Sequence, residues 1–285
     1  MATLPVAEQP VAEFERLSLS ALLEFYGAKF RTELALQFAY RGALAIWLLS
    51  LVSQPLISLV VWTTVAETNG GSAGGFTAGE YAAYFVILMV VNQLTFSWHM
   101  WEFEWRVRTG FFSPVLLRPL HPVHNDIIEN LTFKALTLVA LLPIAVTLGF
   151  AFDARFAPSL ADVVAFGPAL VLAMALRFLV EWTVALAAFW MTRTMAVNQV
   201  FGVLSFFLSG LIAPLALFPA PVQVAAAILP FRWSVAFPVE LAQGQLSGVE
   251  ILLGLLAQVI WIVLAVVLLR LVWRHGVRRY SAVGA

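Results

Sequence analysis

The sequence predicts an all-α polytopic membrane protein, and three observations carry that prediction. Apolar residues make up 62% of the chain and charged residues only 11%, about half the charged share of a soluble domain. Six stretches are long and apolar enough to approach the ~20 residues that cross a ~30 Å hydrocarbon layer. Lys and Arg gather in segments that would share one side of such a bundle, and basic connections stay on the cytoplasmic side. The chain also has no cysteine. That excludes disulfides, thiol catalysis and thiolate metal sites.

Residues 1–35 are expected to form a cytoplasmic N-terminus. They carry Glu8, Glu13, Glu15 and Glu24 and lack the uncharged apolar core of a signal peptide. The first hydrophobic span is therefore expected to direct insertion. Within residues 13–30, Phe14, Leu17, Ala21, Leu22, Phe25 and Ala28 recur near helical spacing, while Glu15, Glu24 and Lys29 lie off that stripe. This pattern predicts an amphipathic helix on the inner membrane surface. A plain extension of the first span is the alternative.

Residues 36–272 are expected to form a six-helix transmembrane domain, with spans at Leu36–Val65, Tyr81–Trp101, Leu131–Phe150, Val163–Met191, Val197–Phe218 and Ile251–Val272. Gln54-Pro55 sits in the middle of the first and predicts a kink. Six crossings put both termini on one side. Arg16, Lys29, Arg31 and Arg41 precede the first span. Arg106, Arg108, Arg118 and Lys134 lie around the second connection, Arg193 in the fourth, and Arg270, Arg274, Arg278 and Arg279 at the end. The opposite side has Glu67, Glu80, Asp153, Asp162, Glu240 and Glu250, with only Arg155 and Arg232. Both termini are thus expected in the cytoplasm, with residues 273–285 as a basic tail. That tail, with His275, is read as an anchor to anionic lipid. Trp47, Trp62, Trp98, Trp101, Trp105, Trp261 and Trp273 fall near predicted span ends, as an aromatic belt requires.

The outer connections differ. Thr68–Gly79 reads as a flexible Gly/Ser loop. Residues 218–247 are apolar but cut by Pro219, Pro221, Pro230 and Pro238. They are expected to form one or two short helices lying in, or re-entering, the outer leaflet, where non-helical backbone must be covered by protein.

The inner loop, residues 102–130, holds the most informative stretch. Gly110 can end the cytoplasmic extension of the second span. Phe111, Phe112, Val115, Leu116 and Leu117 then form a short apolar patch, flanked by Arg106, Arg108 and Arg118, and Pro119 and Pro122 fix the exit. An aromatic anchor rimmed by arginine is the composition of a docking hot spot. The same residues would also suit a helix lying on lipid headgroups. No G-x-x-x-x-G-K-[ST] occurs, and the two lysines, Lys29 and Lys134, follow no glycine loop. If ATP drives this protein, another chain must bind it.

Three stretches carry a family resemblance: RTGFFSPVLLRPLHP at Arg108–Pro122, LSGLIAPLALFPAPVQVAAAILPF at Leu208–Phe231, and LLRLVWRHGVRRYSA at Leu268–Ala282. With their order and spacing, the chain resembles permease subunits of ATP-binding-cassette exporters, the six-helix type-2 membrane family that includes multidrug and viologen export permeases. The Trp-rich segment before the loop departs from that pattern. The resemblance implies a non-enzymatic permease in the plasma (inner) membrane, paired with a second permease, identical or homologous. Two ABC ATPase subunits would hold the ATP and Mg. It implies that the inner loop is a coupling helix and assigns ATPase coupling to Arg106, Arg108, Phe111, Phe112, Leu116, Leu117, Arg118 and Pro119. Cargo would be a hydrophobic or amphipathic small molecule, drug-like or cationic, with a lipid or glycolipid as the alternative.

Polar residues at membrane depth supply the remaining candidates. Arg177 and Glu181 stand four apart and can pair on one face. They would flank a substrate path or a subunit seam, or simply neutralise each other; the neutralised pair is favoured because it attracts no net charge. Asn92, Thr95, His99 and Glu102 follow steps that share a helical face, lining a cavity or packing between helices. Trp98 beside them offers a π face to a cation, although interfacial anchoring is the commoner role. Asn198-Gln199 and Gln258 are expected to bond between helices. His121 and His124, with Asp126 and Glu129, are spaced too loosely for a metal site, so no metal, cofactor or catalytic residue is assigned to this chain. Nucleic acid is not expected as a partner. A secondary transporter or channel remains a competitor, but the halves 1–150 and 151–285 share no visible repeat. A membrane enzyme ranks last, for want of clustered carboxylates or histidines at membrane depth.

Overall fold

A computed structural model describes residues 18–280. The expectations for Phe14, Arg16 and Leu17, and for the last five residues of the tail, fall outside them. Helix α1 is Leu19–Ala39 and starts where the Ser18 hydroxyl accepts the Ala21 N–H. Ala21, Leu22 and Phe25 turn partly inward. The Tyr26 hydroxyl lies 2.9 Å from His124 Nδ1, which ties α1 to α6. A helix is therefore present there and runs further than expected, to Ala39, but it is not cleanly two-faced: Ala28 of the expected stripe is exposed, and Lys29 and Glu33 turn inward.

Helix α2, Arg41–Thr68, begins after a break at Tyr40 and carries Pro55 within it. Among the described residues its apolar crossing is Ile46–Thr68, and the break at Tyr40 divides the expected first span Leu36–Val65 between α1 and α2. The expected Gly/Ser loop after it is instead a hairpin: β1, Ser72–Ala73, pairs antiparallel with β2, Phe76–Thr77. Gly74 and Gly75 turn it with positive φ, a conformation that glycine adopts without Cβ strain.

The second crossing is interrupted. Helix α3, Ala78–Thr95, opens with a capping box of Thr77 and Glu80. The chain leaves helical geometry at Phe96 and resumes as α4, His99–Arg108. Gly110, at φ 77°, follows its end, as the sequence predicts. A four-residue helix, α5 (Ser113–Leu116), precedes α6, Val123–Ala151. The inner loop is thus only 109–122, shorter than the expected 102–130. Its flanks, including Lys134, are helical and packed.

Helix α7, Leu160–Ala185, continues as a 3-10 turn through Phe189. Helix α8 is Met195–Leu208, 14 residues, about 21 Å at 1.5 Å per residue. That is too short to match the expected fifth span alone; Gly210 at φ 83° ends it. Among the described residues, five helices or helix pairs are long and apolar enough to cross a membrane. The proline-cut segment forms α9 (Ala220–Ile228), α10 (Pro230–Ser234) and α11 (Ala236–Ala242). Val235, Ala236, Val239 and Leu241 there are fully buried, so protein covers this irregular backbone. Helix α12, Gly248–Val277, closes the bundle against α7. Gly254 lets α12 approach α11: a Cβ there would lie 2.1 Å from the Phe237 ring.

Several expected belt tryptophans serve the core instead. Trp62 stacks on Tyr81 at 5.3 Å and donates to the Ile212 carbonyl. Trp273 is buried among aromatic rings. Asn198 and Gln258 bond between segments as expected, to the carbonyls of Met100, and of Ala169 and Trp233. Gln199 is exposed.

Candidate functional site

At the basic end of the bundle, the short loop rests on an aromatic base. Phe103 of α4, Trp182 of α7, Phe189 and Trp273 of α12 form one cluster, and Phe112 of the loop completes it. Phe112 is 1% exposed. The expectation that it belongs to an outward docking patch is therefore corrected: the turn at Gly110 swings it under the loop, where it packs tilted on Phe103 at 4.9 Å and edge to face on Phe189 at 5.8 Å. The Ser113 and Tyr280 hydroxyls meet at 2.7 Å and pin α5 to the end of α12. His121 packs 4.4 Å from the Trp273 ring. That burial, helped by His124, pushes its pKa down to about 4.

What remains outside is narrower than the sequence suggests. Phe111 is 63% and Leu117 87% exposed, with Arg108, Arg118 and Pro119 also facing out. Leu116 packs partly against the cluster. Phe111 stacks on Trp105 at 4.9 Å, which stiffens an exposed apolar ridge.

Arg106 is the second correction. It does not rim the patch but points inward, donating to Asp126 at 2.7 Å and to Glu102 at 3.0 Å, with Glu129 at 3.5 Å. Asp126 also accepts from the Trp182 indole at 2.9 Å. Helix α4 is thereby clamped to α6 and α7. Its Glu104 accepts the Thr194 N–H at 2.7 Å and so reaches the start of α8. His99, Asp126 and Glu129 come close enough to suggest a cation trio. The guanidinium of Arg106 already holds that position, so the residues do not fit a metal. His121 and His124 do not converge: one packs on tryptophans, the other bonds Tyr26.

Above the clamp lies a polar seam built around the break between α3 and α4. Arg177 donates to Glu181 at 2.8 Å, as spacing predicts. It also donates to Asn92 at 2.8 Å and Thr95 at 3.0 Å. Glu181 accepts the Ser97 N–H at 2.9 Å, and Asn130 donates to the Phe96 carbonyl at 3.3 Å. Side chains of α6 and α7 thus satisfy backbone groups that the break frees. The expected single stripe of Asn92, Thr95, His99 and Glu102 does not exist, because the helix ends inside it. Asn92 and Thr95 join Arg177, His99 meets the Ser97 hydroxyl at 2.8 Å, and Glu102 joins Arg106. Trp98 stacks on His99 at 4.8 Å and packs against Phe133 at 4.9 Å. Sequence reasoning missed Ser97 and Asn130, and weighed Asp126 only as a metal ligand, not as the acceptor for Arg106 and Trp182. The only available signal was a polar residue recurring at membrane depth.

The crossings and the loop seated on their ends define a multi-pass helical membrane protein with an exposed apolar and basic ridge braced by its own core. Comparison with family models places it more closely: the model of the ABC-2 family transporter proteins matches residues 52–284. The chain belongs to that family, and membership implies work with ABC ATPase partners in general. Among curated proteins, nothing matches it.

Proposed function

We propose that this chain is the permease subunit of an ATP-driven exporter. Two separate ATPase subunits would hold ATP and Mg and supply hydrolysis, and a second permease, identical or homologous, would complete the complex. This chain would bind no cofactor and catalyse no reaction. It would sit in the inner membrane with both termini cytoplasmic and six crossings, counting α8 with the residues after it as the fifth. Helices α9–α11 would lie in the outer leaflet. The cargo would be a hydrophobic or amphipathic small molecule. A lipid or glycolipid is the second choice of cargo.

The observation that supports this reading is the exposed ridge of Phe111, Leu117 and Arg118 on a braced loop. A coupling element must present apolar and basic contacts outward and must not yield when pushed. Phe112 in the aromatic cluster and Arg106 in its carboxylate clamp meet the second need, linking α5 to α4, α6, α7 and α12. A push on the ridge would move α4 against the break at 96–98. Co-purification with neighbouring gene products, with Mg-ATP hydrolysis assayed, tests the proposal. An ATPase chain that is lost with Leu117→Asp or Arg118→Glu, while the permease stays folded, supports it. Purification of the permease alone, even after crosslinking at the ridge, overturns it in favour of ion-driven transport.

A further inference from the structure

A cavity of about 420 Å³ opens between α1, the first half of α2, the end of α3 and α6. That volume suits a small molecule. Its apolar wall includes the rings of Trp47, Trp98 and Phe133. Its polar wall includes Glu33, Gln37 and Glu129, and no Lys or Arg lines it among the described residues.

Ser50, Gln54 and Asn92 also line the polar wall, and several of its acceptors are incompletely used. The Gln37 Oε1 is enclosed and has no hydrogen-bond partner. Glu129 holds the loosest contact in the Arg106 clamp, 3.5 Å against 2.7 Å for Asp126. Glu33 is buried and pairs with Lys29, one turn earlier on α1. Pro55, also in the wall, has no N–H to offer the carbonyl of Leu51, another lining residue. Enclosed acceptors are costly until a donor reaches them. Access is lateral: in the adjoining turns of α2, Ile46, Trp47 and Leu49 are each more than half exposed, facing the bilayer of a membrane-spanning chain.

We propose that this cavity is an intake site for protonated primary or secondary amines with a flat or alkyl apolar body, entering from the membrane. This rests on the permease reading and names its cargo class. The carboxylates favour positive charge, the unpartnered amide oxygen favours an N–H donor, and the rings favour a cation over their faces. A quaternary ammonium supplies charge but no N–H. A neutral alcohol supplies a donor but no charge.

The test uses the full chain in lipid nanodiscs and energy transfer from tryptophan to dansylcadaverine, its trimethylammonium analogue and its alcohol analogue. A charge-assisted hydrogen bond to an enclosed group is worth about tenfold or more in affinity. The amine is therefore expected to bind saturably, about tenfold tighter than either analogue. Glu33→Gln and Glu129→Gln should each erase most of that preference and leave alcohol binding unchanged. Leu36→Trp, which fills the cavity from an exposed wall position, should abolish saturable binding of all three. Equal binding of amine and alcohol overturns the site, as does an unchanged amine affinity in both Gln variants. Amine-selective binding by a chain that recruits no ATPase leaves the site standing and sinks the exporter reading. Recruitment without amine preference does the reverse.

Discussion

Glu181→Leu is expected to be among the most damaging single changes in this protein. Glu181 neutralises Arg177 at 2.8 Å and accepts the Ser97 N–H at 2.9 Å, and it is 2% exposed. Removing it leaves a buried guanidinium without its counter-charge, which costs about 3–5 kcal/mol. The freed Ser97 N–H adds about 1–3 kcal/mol if no water reaches it. These overlap, so a loss near 4 kcal/mol is expected, about a thousandfold in the unfolding equilibrium. The double variant Arg177→Met/Glu181→Leu removes both charges and should recover at least ~1–2 kcal/mol of that loss. The orphaned Asn92 and Ser97 groups keep recovery incomplete. Reversible unfolding in mixed detergent micelles, followed by far-UV circular dichroism, measures Glu181→Leu, Arg177→Met and the double variant. If the double variant is as unstable as the sum of the singles, the two residues are not a neutralising pair, and the account of the seam fails.

Phe112→Ala should cost about 3–5 kcal/mol through the hole left in the aromatic base; Leu117→Ala should change stability by less than ~0.5 kcal/mol yet weaken ATPase recruitment. Thermal melts and pull-downs separate the two. Gly254→Leu should destabilise by at least ~1–3 kcal/mol, because its side chain meets the Phe237 ring that packs α11 on α12; Phe237→Ala in the same chain should relieve part of the loss. His121 titrates near about 4 when folded, below its ordinary 6.5. The unfolded chain thus binds more protons between those values. Stability should be whole above pH 6.5 and fall as pH drops toward 4. His121→Gln should flatten that acid-side decline, read as melting temperatures at about pH 7 and about pH 4.5.

Much of the architecture was legible because the bilayer imposes it. A crossing needs a long apolar run, so α6, α7 and α12 stand where hydropathy puts them, and proline spacing marked the short helices α9–α11. The Arg177–Glu181 pair followed from helical spacing alone. Within the site, the ridge of Phe111, Leu117 and Arg118 was readable as a composition. Its division into an outward ridge and an inward anchor was not. Phe111 and Phe112 are adjacent and chemically alike, and only the turn at Gly110 decides which one faces out.

The sequence by itself determined that this chain lives in a membrane, which end is basic, that it carries no G-x-x-x-x-G-K-[ST] phosphate loop, and which family its inner loop resembles. Those properties depend on local composition and spacing, and they survive any packing of the helices. Tertiary structure decided the break at 96–98, the inward turn of Arg106, the burial of Phe112 and the acceptor-lined cavity beside α1. Each depends on partners far along the chain. Glu181 and Asn130 satisfy the backbone that the break frees, Asp126 draws Arg106 inward, and Trp273 and Phe189 make room for one phenylalanine and not its neighbour. Hydropathy records where a segment can reside; hydrogen-bond and packing partners determine what its side chains do there.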